Sequence, residues 1–567
     1  MVFRCWRVKT FKSSLTGASF LALVVLSRVL NGQTLGGTVR DSLAHRTISG
    51  AVVALLDSSG ATLSRTLTNE QGQFSVALAA AATRVRVIRI GFRPSESPIR
   101  HSGGVADHVD ILLAPLQTFL TPVVVTDGSR CARRSDRALA YGMWEQARAG
   151  LLATIVARDT KAAEKLRFVY TQTMKGETDQ IVRNVVHADS SGGAGASFSA
   201  VRSARDFVRL GFAADSLGLR EFFGPDAEAL LDDAFLSAYC LNITKADPAR
   251  GGQVGLAFAP AAVRRDTVDI AGTVWLDTVR HALRDIEFRY VGLEKPAERL
   301  APGGIVSFQE MPNGVVLIDR WQLRLFGATE DTTVSNGRDV VRQWPFISVT
   351  GGELARTVWS DGTAWRAPLG TLHGRATWST GKPAAGVAIA LEETDYRAVT
   401  DSNGAFTIVN LVPGPYPVVI NDPRLEPLAV QIPTQLRFVA KRDATSAVTF
   451  TVPTAEEYVI DRCKKDRRWI AGTSSFVIGR VFDSDGIPAS RASVELSVKG
   501  GAGNSSDAGY FVTGSDGFFE SCSNRFTQGS TVMVVAHLRG GGTVEATQSV
   551  SAKLTIIKLQ LNGGRHP

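Results

Sequence analysis

The stretch TLTNEQGQFSVAL, residues 66–78, places a Gly-containing turn between two short runs of alternating polar and apolar residues. The same spacing of Thr, Gly and Phe returns twice further along the chain. The residues that share it are Thr68, Gly72, Phe74, Thr400, Gly404, Phe406, Thr513, Gly517 and Phe519. Gly suits a turn position that needs a positive φ, and the Phe can start the next strand on its inward face. We therefore predict one structural corner, built three times, and not a ligand site.

Each corner lies within the same succession of short apolar strands. A strand that begins with Gly comes first, at 37–39, 374–376 and 479–481. A second strand with small residues at its start follows, at 50–55, 386–391 and 491–496. After the corner come a further apolar strand and a closing strand, the latter at 108–113, 447–452 and 553–559. About seven short strands with regular turn signals predict a β-sandwich for each copy.

These residues resemble a known family. The pattern G-x-V, a small-residue strand, T-[DN]-x-x-G-x-F and the Gly91-Phe92 turn resembles the carboxypeptidase regulatory-like domain. This is a transthyretin-like β-sandwich found beside metallocarboxypeptidases and at the front of TonB-dependent outer-membrane receptors. The resemblance covers residues 34–127, 368–453 and 476–563; the second copy lacks the Gly-Phe turn and the third is the most divergent. It implies a fold and no particular activity.

The region between the first and second copies has a different pattern. Apolar residues at helical spacing over 136–157, Trp144 included, predict an amphipathic helix with a buried stripe at Leu139, Met143, Ala147 and Leu151. Alternating strands follow at 166–173, 181–187, 268–276, 283–291, 304–309 and 315–326, with hairpin turns at 277–278 and 312–314. This succession predicts a curved antiparallel sheet. Residues 272–290 are similar in style to the periplasmic lipoprotein-carrier family, whose sheet forms an open half-barrel, but no motif carries lipid binding across.

The predicted fold class is mainly β and multidomain, with three transthyretin-like β-sandwiches and a central α+β domain with an antiparallel curved sheet. The predicted boundaries are a signal peptide at 1–33, the first sandwich at 34–127, the central domain at 128–366, the second sandwich at 367–455, a linker at 456–475 and the third sandwich at 476–563.

The N-terminal residues explain much of the net charge of +9. Residues 1–33 contain five basic residues and no acid, which leaves +4 over the rest of the chain. A basic stretch, an apolar run at 15–26 and a polar exit at 31–33 form the pattern of a secretory signal, and a retained anchor is the alternative. We expect an exported protein that is periplasmic, outer-membrane-associated or extracellular. The dispersed remaining charge argues against a nucleic-acid partner.

Export makes the cysteines informative. Beyond Cys5, the chain has Cys131, Cys240, Cys463 and Cys522. An even number in an oxidising compartment predicts two disulfides, with three possible connectivities. Pairing by region, Cys131–Cys240 and Cys463–Cys522, is preferred, and four buried thiols are the alternative.

The common catalytic motifs are absent from the sequence. It contains no HxxE, HExxH or GxSxG, and neither a P-loop nor GxGxxG. We therefore predict no catalytic, cofactor-binding or metal-binding residues and no cofactor. Residues 400–404 and 515–517 superficially resemble calcium loops, but stabilisation of the turn is the favoured interpretation.

The predicted function is that of an exported, non-catalytic binding or scaffolding protein of the cell envelope, with an envelope protein or glycan as partner. One alternative is a carbohydrate- or cell-wall-binding protein with a starch-binding-like sandwich, whose platform would be Trp344, Trp359, Trp365 and Trp378, although packing of an interdomain seam is the favoured interpretation of these residues. Further alternatives are an accessory component of a TonB-dependent transport system and an enzyme of unrecognised type in residues 128–366.

Overall fold

The computed structural model describes residues 34–100, 108–116, 137–160, 163–175, 180–189, 203–216, 219–244, 247–262, 264, 266–335, 338–464, 476–499, 505–521, 526, 528–539, 541–551 and 553–561. The structure is 55% strand and 13% helix. This confirms the mainly β, multidomain prediction. The predicted signal peptide at 1–33 lies outside the described residues.

The first sandwich has seven strands in two sheets. They are β1 (Thr34–Asp41), β2 (Val52–Leu56), β3 (Thr62–Leu67), β4 (Gln73–Ala77), β5 (Arg84–Ile88), β6 (Ser95–Pro98) and β7 (His108–Leu113). One sheet has the order β4-β1-β7, with β1 antiparallel to β4 and parallel to β7. The other has the order β3-β2-β5-β6. Inward residues of both sheets, such as Val39 and Val53, form one apolar core, as the alternation along the strands predicts.

The central domain consists of a long helix, several short ones and an extended antiparallel sheet. Its elements are α1 (Arg137–Thr160), β8 (Ala163–Lys175), β9 (Ile181–Asp189), α2 (Ala204–Leu210), β10 (Ala213–Ser216), β11 (Leu219–Phe222), α3 (Ala227–Leu231), α4 (Asp233–Ala238), β12 (Tyr239–Ile243), β13 (Gln253–Pro260), β14 (Asp269–Asp277), β15 (Ala282–Val291), α5 (Lys295–Arg299), β16 (Gly303–Glu310), β17 (Val316–Ser335), β18 (Arg338–Trp359) and β19 (Ala364–Arg366). The main sheet has the order β12-β13-β14-β15-β16-β17-β18-β8-β9, and β19 pairs with β18.

Helix α1 packs on one face of this sheet. Met143, Ala147 and Leu151 are buried in one cluster with sheet residues such as Leu256 and Ile286. The predicted helix and its apolar stripe are thus confirmed. The opposite face of the sheet carries polar residues, and at β8, β9 and β18 it meets the second sandwich through buried apolar side chains such as Phe168 and Val186.

The second and third sandwiches repeat the topology of the first. Their strands are β20 (Gly370–Trp378), β21 (Ala388–Leu391), β22 (Arg397–Val399), β23 (Ala405–Leu411), β24 (Gly414–Asn421), β25 (Ile432–Ala440) and β26 (Thr445–Val452), then, after α6 (Ala455–Cys463), β27 (Phe476–Phe482), β28 (Ser493–Lys499), β29 (Ser505–Val512), β30 (Phe518–Ser521), β31 (Thr531–His537), β32 (Thr543–Ser549) and β33 (Leu554–Gln560). The sheets are β23-β20-β26 and β22-β21-β24-β25 in the second copy, and β30-β27-β33 and β29-β28-β31-β32 in the third. All three copies therefore have seven strands in the same arrangement.

The first sandwich is attached to α1 through its Gly-Phe turn. The amide of Gly91 donates to Gln146 Oε1 at 2.8 Å, and Gln146 Nε2 donates to the carbonyl of Phe92 at 3.3 Å. Arg89 forms an ion pair of 2.9 Å with Glu310 on β16. The turn that helped to identify the domain is thus also its docking point.

The predicted linker at 456–475 begins with a packed helix. Glu457 N donates to Thr454 Oγ1 at 3.2 Å and Thr454 N donates to Glu457 Oε2 at 2.8 Å, which is a reciprocal cap for α6. Val459 of this helix is fully buried. Residues 465–475 lie outside the described part of the chain. Beyond α6, Arg480 Nη1 of the third sandwich donates to the carbonyl of Leu428 in the second at 2.8 Å.

Candidate functional site

The threonine of each corner is buried and bridges two backbone groups. In the first sandwich, Thr68 Oγ1 accepts from Ala51 N at 2.9 Å and donates to the carbonyl of Ile48 at 2.7 Å. Thr400 and Thr513 make the same pair of bonds in the second and third sandwiches, with lengths between 2.5 and 2.9 Å. Each hydroxyl therefore holds the entry of the second strand against the corner.

The glycine and phenylalanine of each corner also have the same environment in all three copies. Gly72, Gly404 and Gly517 have φ values of 70°, 72° and 72°. A Cβ on Gly72 would lie 2.7 Å from a carbonyl oxygen of β1, so a side chain is excluded by strain and by space. The ring of Phe74 covers Gly37 of β1, and Phe406 and Phe519 cover the equivalent glycines, Gly374 and Gly479, each closer than 3.0 Å to where a Cβ would stand.

The acidic and amide side chains of the corners are used inside the turns. Asn69 Oδ1 accepts from Gln71 N and Gln73 N at 3.1 and 2.8 Å, and Asp401 Oδ1 accepts from Asn403 N and Ala405 N at 2.8 Å each. These bonds are Asx-type turn contacts. These side chains therefore stabilise the turns, and that the corners have no role beyond the fold stays a prediction.

The strongest candidate site is a cleft between the polar face of the central sheet and the second sandwich. We call it the interdomain cleft; its volume is about 560 Å³, and it is lined by β8, β9, β17 and β18 on one side and by β24, β25 and the turn before β24 on the other. Domain interfaces are among the preferred locations of small-molecule sites.

Register places the polar residues of the cleft side by side. Gln322 on β17 pairs with Gly351 on β18, which pairs with Tyr170 on β8. Because Gly351 has no side chain, the Tyr170 ring lies across it and its hydroxyl accepts from Gln322 Nε2 at 2.6 Å. Burial raises the pKa of Tyr170 to about 12, so this hydroxyl keeps its proton.

Two arginines and a buried glutamate form the charged part of the cleft. Glu353 on β18 is 3% exposed and accepts from Nη2 of Arg442, in the second sandwich, at 2.6 and 2.7 Å. Burial raises the pKa of Glu353, and Arg442 opposes that rise. Arg320 on β17 is the direct cross-strand neighbour of Glu353.

A β-bulge shapes this end of β17. Ser307 pairs with Arg320 and Phe308 pairs with Ile318, so Asp319 has no partner on β16. Bulges re-aim side chains and are common beside functional sites. Burial raises the pKa of Asp319, with Arg320 opposing the rise.

The second sandwich closes the cleft with the turn that precedes β24. Gln172 Nε2 donates to the carbonyl of Pro413 at 2.8 Å and to Asn184 Oδ1 at 3.2 Å. Gly414 has φ 152°, and a Cβ there would lie 2.5 Å from Asn184 Nδ2. The turn therefore approaches the sheet too closely for a side chain at this position.

A network of polar contacts continues from the cleft across the same face of the sheet. Arg320 Nη2 donates to Ser307 Oγ at 3.3 Å, and Ser307 Oγ donates to Asp285 Oδ1 at 2.8 Å. Asp285 pairs with Arg250 at 3.0 Å, and Arg250 also contacts Glu287. Each serine and carboxylate of this network is engaged with a neighbouring side chain, so the network holds Arg320 in position at the edge of the cleft.

The tryptophans proposed as a ligand platform occupy different environments. Trp359 is 5% exposed and packs with α1, the β16–β17 hairpin and the first sandwich, and Trp365 lies partly buried in the same cluster. Trp378 packs partly buried in the second sandwich. The side chain of Trp344 lies outside the described part of the structure. The described tryptophans thus form seams and core, and the first sandwich takes part in the seam as well as the second.

Of the four cysteines, Cys240 is buried on β12 and is disulfide-bonded. Cys131, Cys522 and the side chain of Cys463 lie outside what the structure describes. The connectivity therefore stays a prediction.

Sequence reasoning missed the residues of the interdomain cleft. The signals that could have indicated it are the Gly351-Gly352 pair inside a strand and the alternation of Arg320, Gln322 and Arg324 on one face of β17. Among the described residues, no group of three or more His, Cys, Asp or Glu side chains is arranged to hold a metal ion. In the same part of the chain, none of the helices has the length and apolar character needed to cross a bilayer.

Comparisons with known proteins bear on the sandwiches. The family model of the carboxypeptidase regulatory-like domain matches residues 34–114 and 371–453. No curated protein matches the chain. The third sandwich lies outside the matched ranges, although it shares their strand order and corner contacts.

Similar solved structures include the Bacillus anthracis TIE protein, at 11% identity and a TM-score of 0.13, with 57% of each chain covered. The shaft pilin SpaA from Lactobacillus rhamnosus GG has 10% identity and a TM-score of 0.13, with 35% of this chain and 98% of that chain covered. The Streptococcal ancillary pilin has 12% identity and a TM-score of 0.13, with 46% and 81% covered. TM-scores this low support no inference about the function of this chain. The matched ranges, the common strand order and the identical corners together identify residues 34–114 and 371–453 as carboxypeptidase regulatory-like domains.

Proposed function

We propose that this chain is an exported, non-catalytic protein of the cell envelope that binds a protein partner and scaffolds it. The observation that carries the proposal is the repeated sandwich, whose conspicuous polar residues, Thr68, Thr400 and Thr513, are all used by the fold itself. Three copies with the same corner contacts supply repeated surfaces, and the region between the first two copies supplies the helix and the sheet to which those two copies are attached.

Partner binding is best placed at the edges of the sandwich sheets. β29 is one of the two edge strands of its sheet, and Tyr510 and Val512 on it are 59% and 60% exposed. β22 and β25 are the two edges of the corresponding sheet in the second sandwich, and they expose Val399 and Val439. Edge strands with exposed apolar side chains are the surfaces to which an extended segment of another protein adds by strand pairing.

The experiment combines fractionation with photo-crosslinking in the native host. The full chain should be recovered with the cell envelope or the medium, and a variant lacking residues 1–33 should remain in the cytoplasm. A photo-reactive residue at Tyr510 should give a defined crosslinked protein, whereas one at Asp485, in an exposed turn of the same sandwich, should not. Cytoplasmic retention of the full chain, or equal crosslinking at both positions, would contradict the proposal.

A further inference from the structure

The interdomain cleft has two chemically different walls. The central sheet contributes a polar wall that includes Tyr170, Arg320 and Glu353. The second sandwich contributes an apolar wall that includes Val412 and Val439, together with other proline and alanine side chains. A ligand that matches both walls has a polar or charged head and an apolar body.

Arg320 keeps a donor without an acceptor beside the cleft. Its Nε is buried and has no hydrogen-bond partner among the described residues, while its Nη2 is bonded to Ser307 Oγ. Arg442 donates to Glu353 through Nη2, and its side chain is 33% exposed. A buried donor without an acceptor is unfavourable, and a guanidinium is shaped to bind a carboxylate through two nitrogens. An anionic group that enters the cleft would pair with the two guanidinium groups.

The charge of the cleft agrees with a single negative charge on the ligand. Arg320 and Arg442 line the cleft together with one acid, Glu353, so the lining has an excess of one positive charge when all three are ionised. Asp319 lies close by, and burial raises its pKa, which reduces its opposition to an anion.

We propose that the interdomain cleft binds a small carboxylate with an apolar body. The carboxylate accepts hydrogen bonds from Arg320 and Arg442, and the apolar body packs against Val412 and Val439. Such a ligand touches both the central sheet and the second sandwich, so its binding strengthens the junction between them. This inference shares Val439, on the edge strand β25, with the proposed docking edges, but it concerns a small ligand and depends neither on export nor on the protein partner.

The test uses the full chain and three small probes. N-acetyl-leucine and 4-methylpentanoate carry the carboxylate and the apolar body, and N-acetyl-leucinamide is the neutral match of the first. Saturation-transfer NMR should show both acids binding with Kd values on the order of millimolar, as expected for ligands of this size. The amide should bind at least about tenfold more weakly.

Variants assign the binding to the cleft. Arg320→Gln should weaken binding of the acids by about tenfold or more, and Arg320→Lys by less, because lysine keeps the charge without the fork. Val439→Trp should block the cleft sterically while leaving its polar contacts in place, and it serves where Arg320→Gln fails to fold. Arg366→Gln, at an exposed arginine of β19, is the matched control and should bind as the unmodified protein does.

Each result of these binding experiments either supports or overturns the proposed carboxylate site. Binding of both acids supports the proposal with a free apolar carboxylic acid as sufficient ligand, and binding of N-acetyl-leucine alone supports it with a peptide chain end as source. Equal binding of acid and amide, no binding of either acid at millimolar concentration, or binding unaffected by both Arg320→Gln and Val439→Trp would overturn it. These results leave the crosslinking at Tyr510 unaffected, so the two proposals fail separately.

Discussion

Replacing Thr400 by valine tests whether the repeated corner is held by a buried hydroxyl. Valine has nearly the same shape as threonine, so the substitution removes the hydroxyl with little change in packing volume. Thr400 is 4% exposed, and its Oγ1 accepts from Val387 N and donates to the carbonyl of Ala384. The variant leaves both backbone groups without this partner in a place that water does not reach.

The expected loss follows from these two groups. A buried donor or acceptor left unsatisfied costs about 1–3 kcal/mol, so the loss of a partner for two such groups should lower the free energy of opening at this corner by about 2–6 kcal/mol. At 1.4 kcal/mol for each factor of ten, local hydrogen exchange should become faster by roughly 30-fold at the lower end of this range and roughly 20,000-fold at the upper end. Thr68→Val and Thr513→Val should have effects of the same size in their own sandwiches, because their bonds are the same.

Hydrogen exchange followed by mass spectrometry on the full chain measures this loss locally, without assuming two-state unfolding of a multidomain protein. The peptides of interest span residues 384–400. Thr449→Val is the matched control, since Thr449 is exposed on β26, and its effect should stay within about 0.5 kcal/mol. Unchanged exchange over 384–400 in Thr400→Val would show that the hydroxyl does not hold the corner.

Four further predictions follow from the structure. Gly72→Ala should destabilise the first sandwich by about 1–3 kcal/mol in thermal melts. Gly60→Ala, also at positive φ but with only an ordinary van der Waals contact at 3.6 Å to the Arg84 side chain, should cost less. Arg442→Met should lower the free energy of unfolding by about 3–5 kcal/mol, measured by calorimetry, because it leaves Glu353 buried without its partner. Adding Glu353→Leu should restore most of the lost stability. Burial lowers the pKa of His281 below its usual 6.5, so on acidification the unfolded chain binds the proton before the folded chain does. The stability that this histidine contributes is therefore complete above about pH 6.5 and is lost as the pH falls through the lowered pKa. His281→Gln should reduce that loss, measured by urea titrations at a series of pH values. Non-reducing mass spectrometry of the exported protein should find two disulfides, and four alkylatable thiols would refute that prediction.

The sandwiches were predictable because their signals are local and repeated. Turn glycines, alternating strands and the inward Phe occur within short stretches, and the same pairing follows wherever they occur. The sequence did not reveal why a glycine stands in the first strand of each copy. Gly37 is required because Phe74 of the neighbouring strand lies on it, and only the register between β1 and β4 shows that contact.

The interdomain cleft was not predictable because its residues come from distant parts of the chain. Tyr170, Glu353 and Arg442 lie on β8, on β18 and just beyond β25, and period-two alternation indicates which residues share a face but not what packs against it. The same limit applies to the predicted tryptophan platform. Their nearness in sequence suggested a common platform, whereas β18 and β20 bring Trp359 and Trp378 to different clusters.

The three sandwiches differ in the residues that attach them to the rest of the protein. The first uses its Gly91-Phe92 turn on α1, the second uses the turn at Gly414 on β8 and β9, and the third uses Arg480 on the second sandwich. The corner residues point inward in every copy, so they stabilise the fold and do not contribute to the outer surfaces. Each attachment depends on residues outside the corner motif. A carboxylate held between Arg320 and Arg442 would stabilise one of these attachments alone, which makes the second sandwich the copy whose position a small ligand can influence.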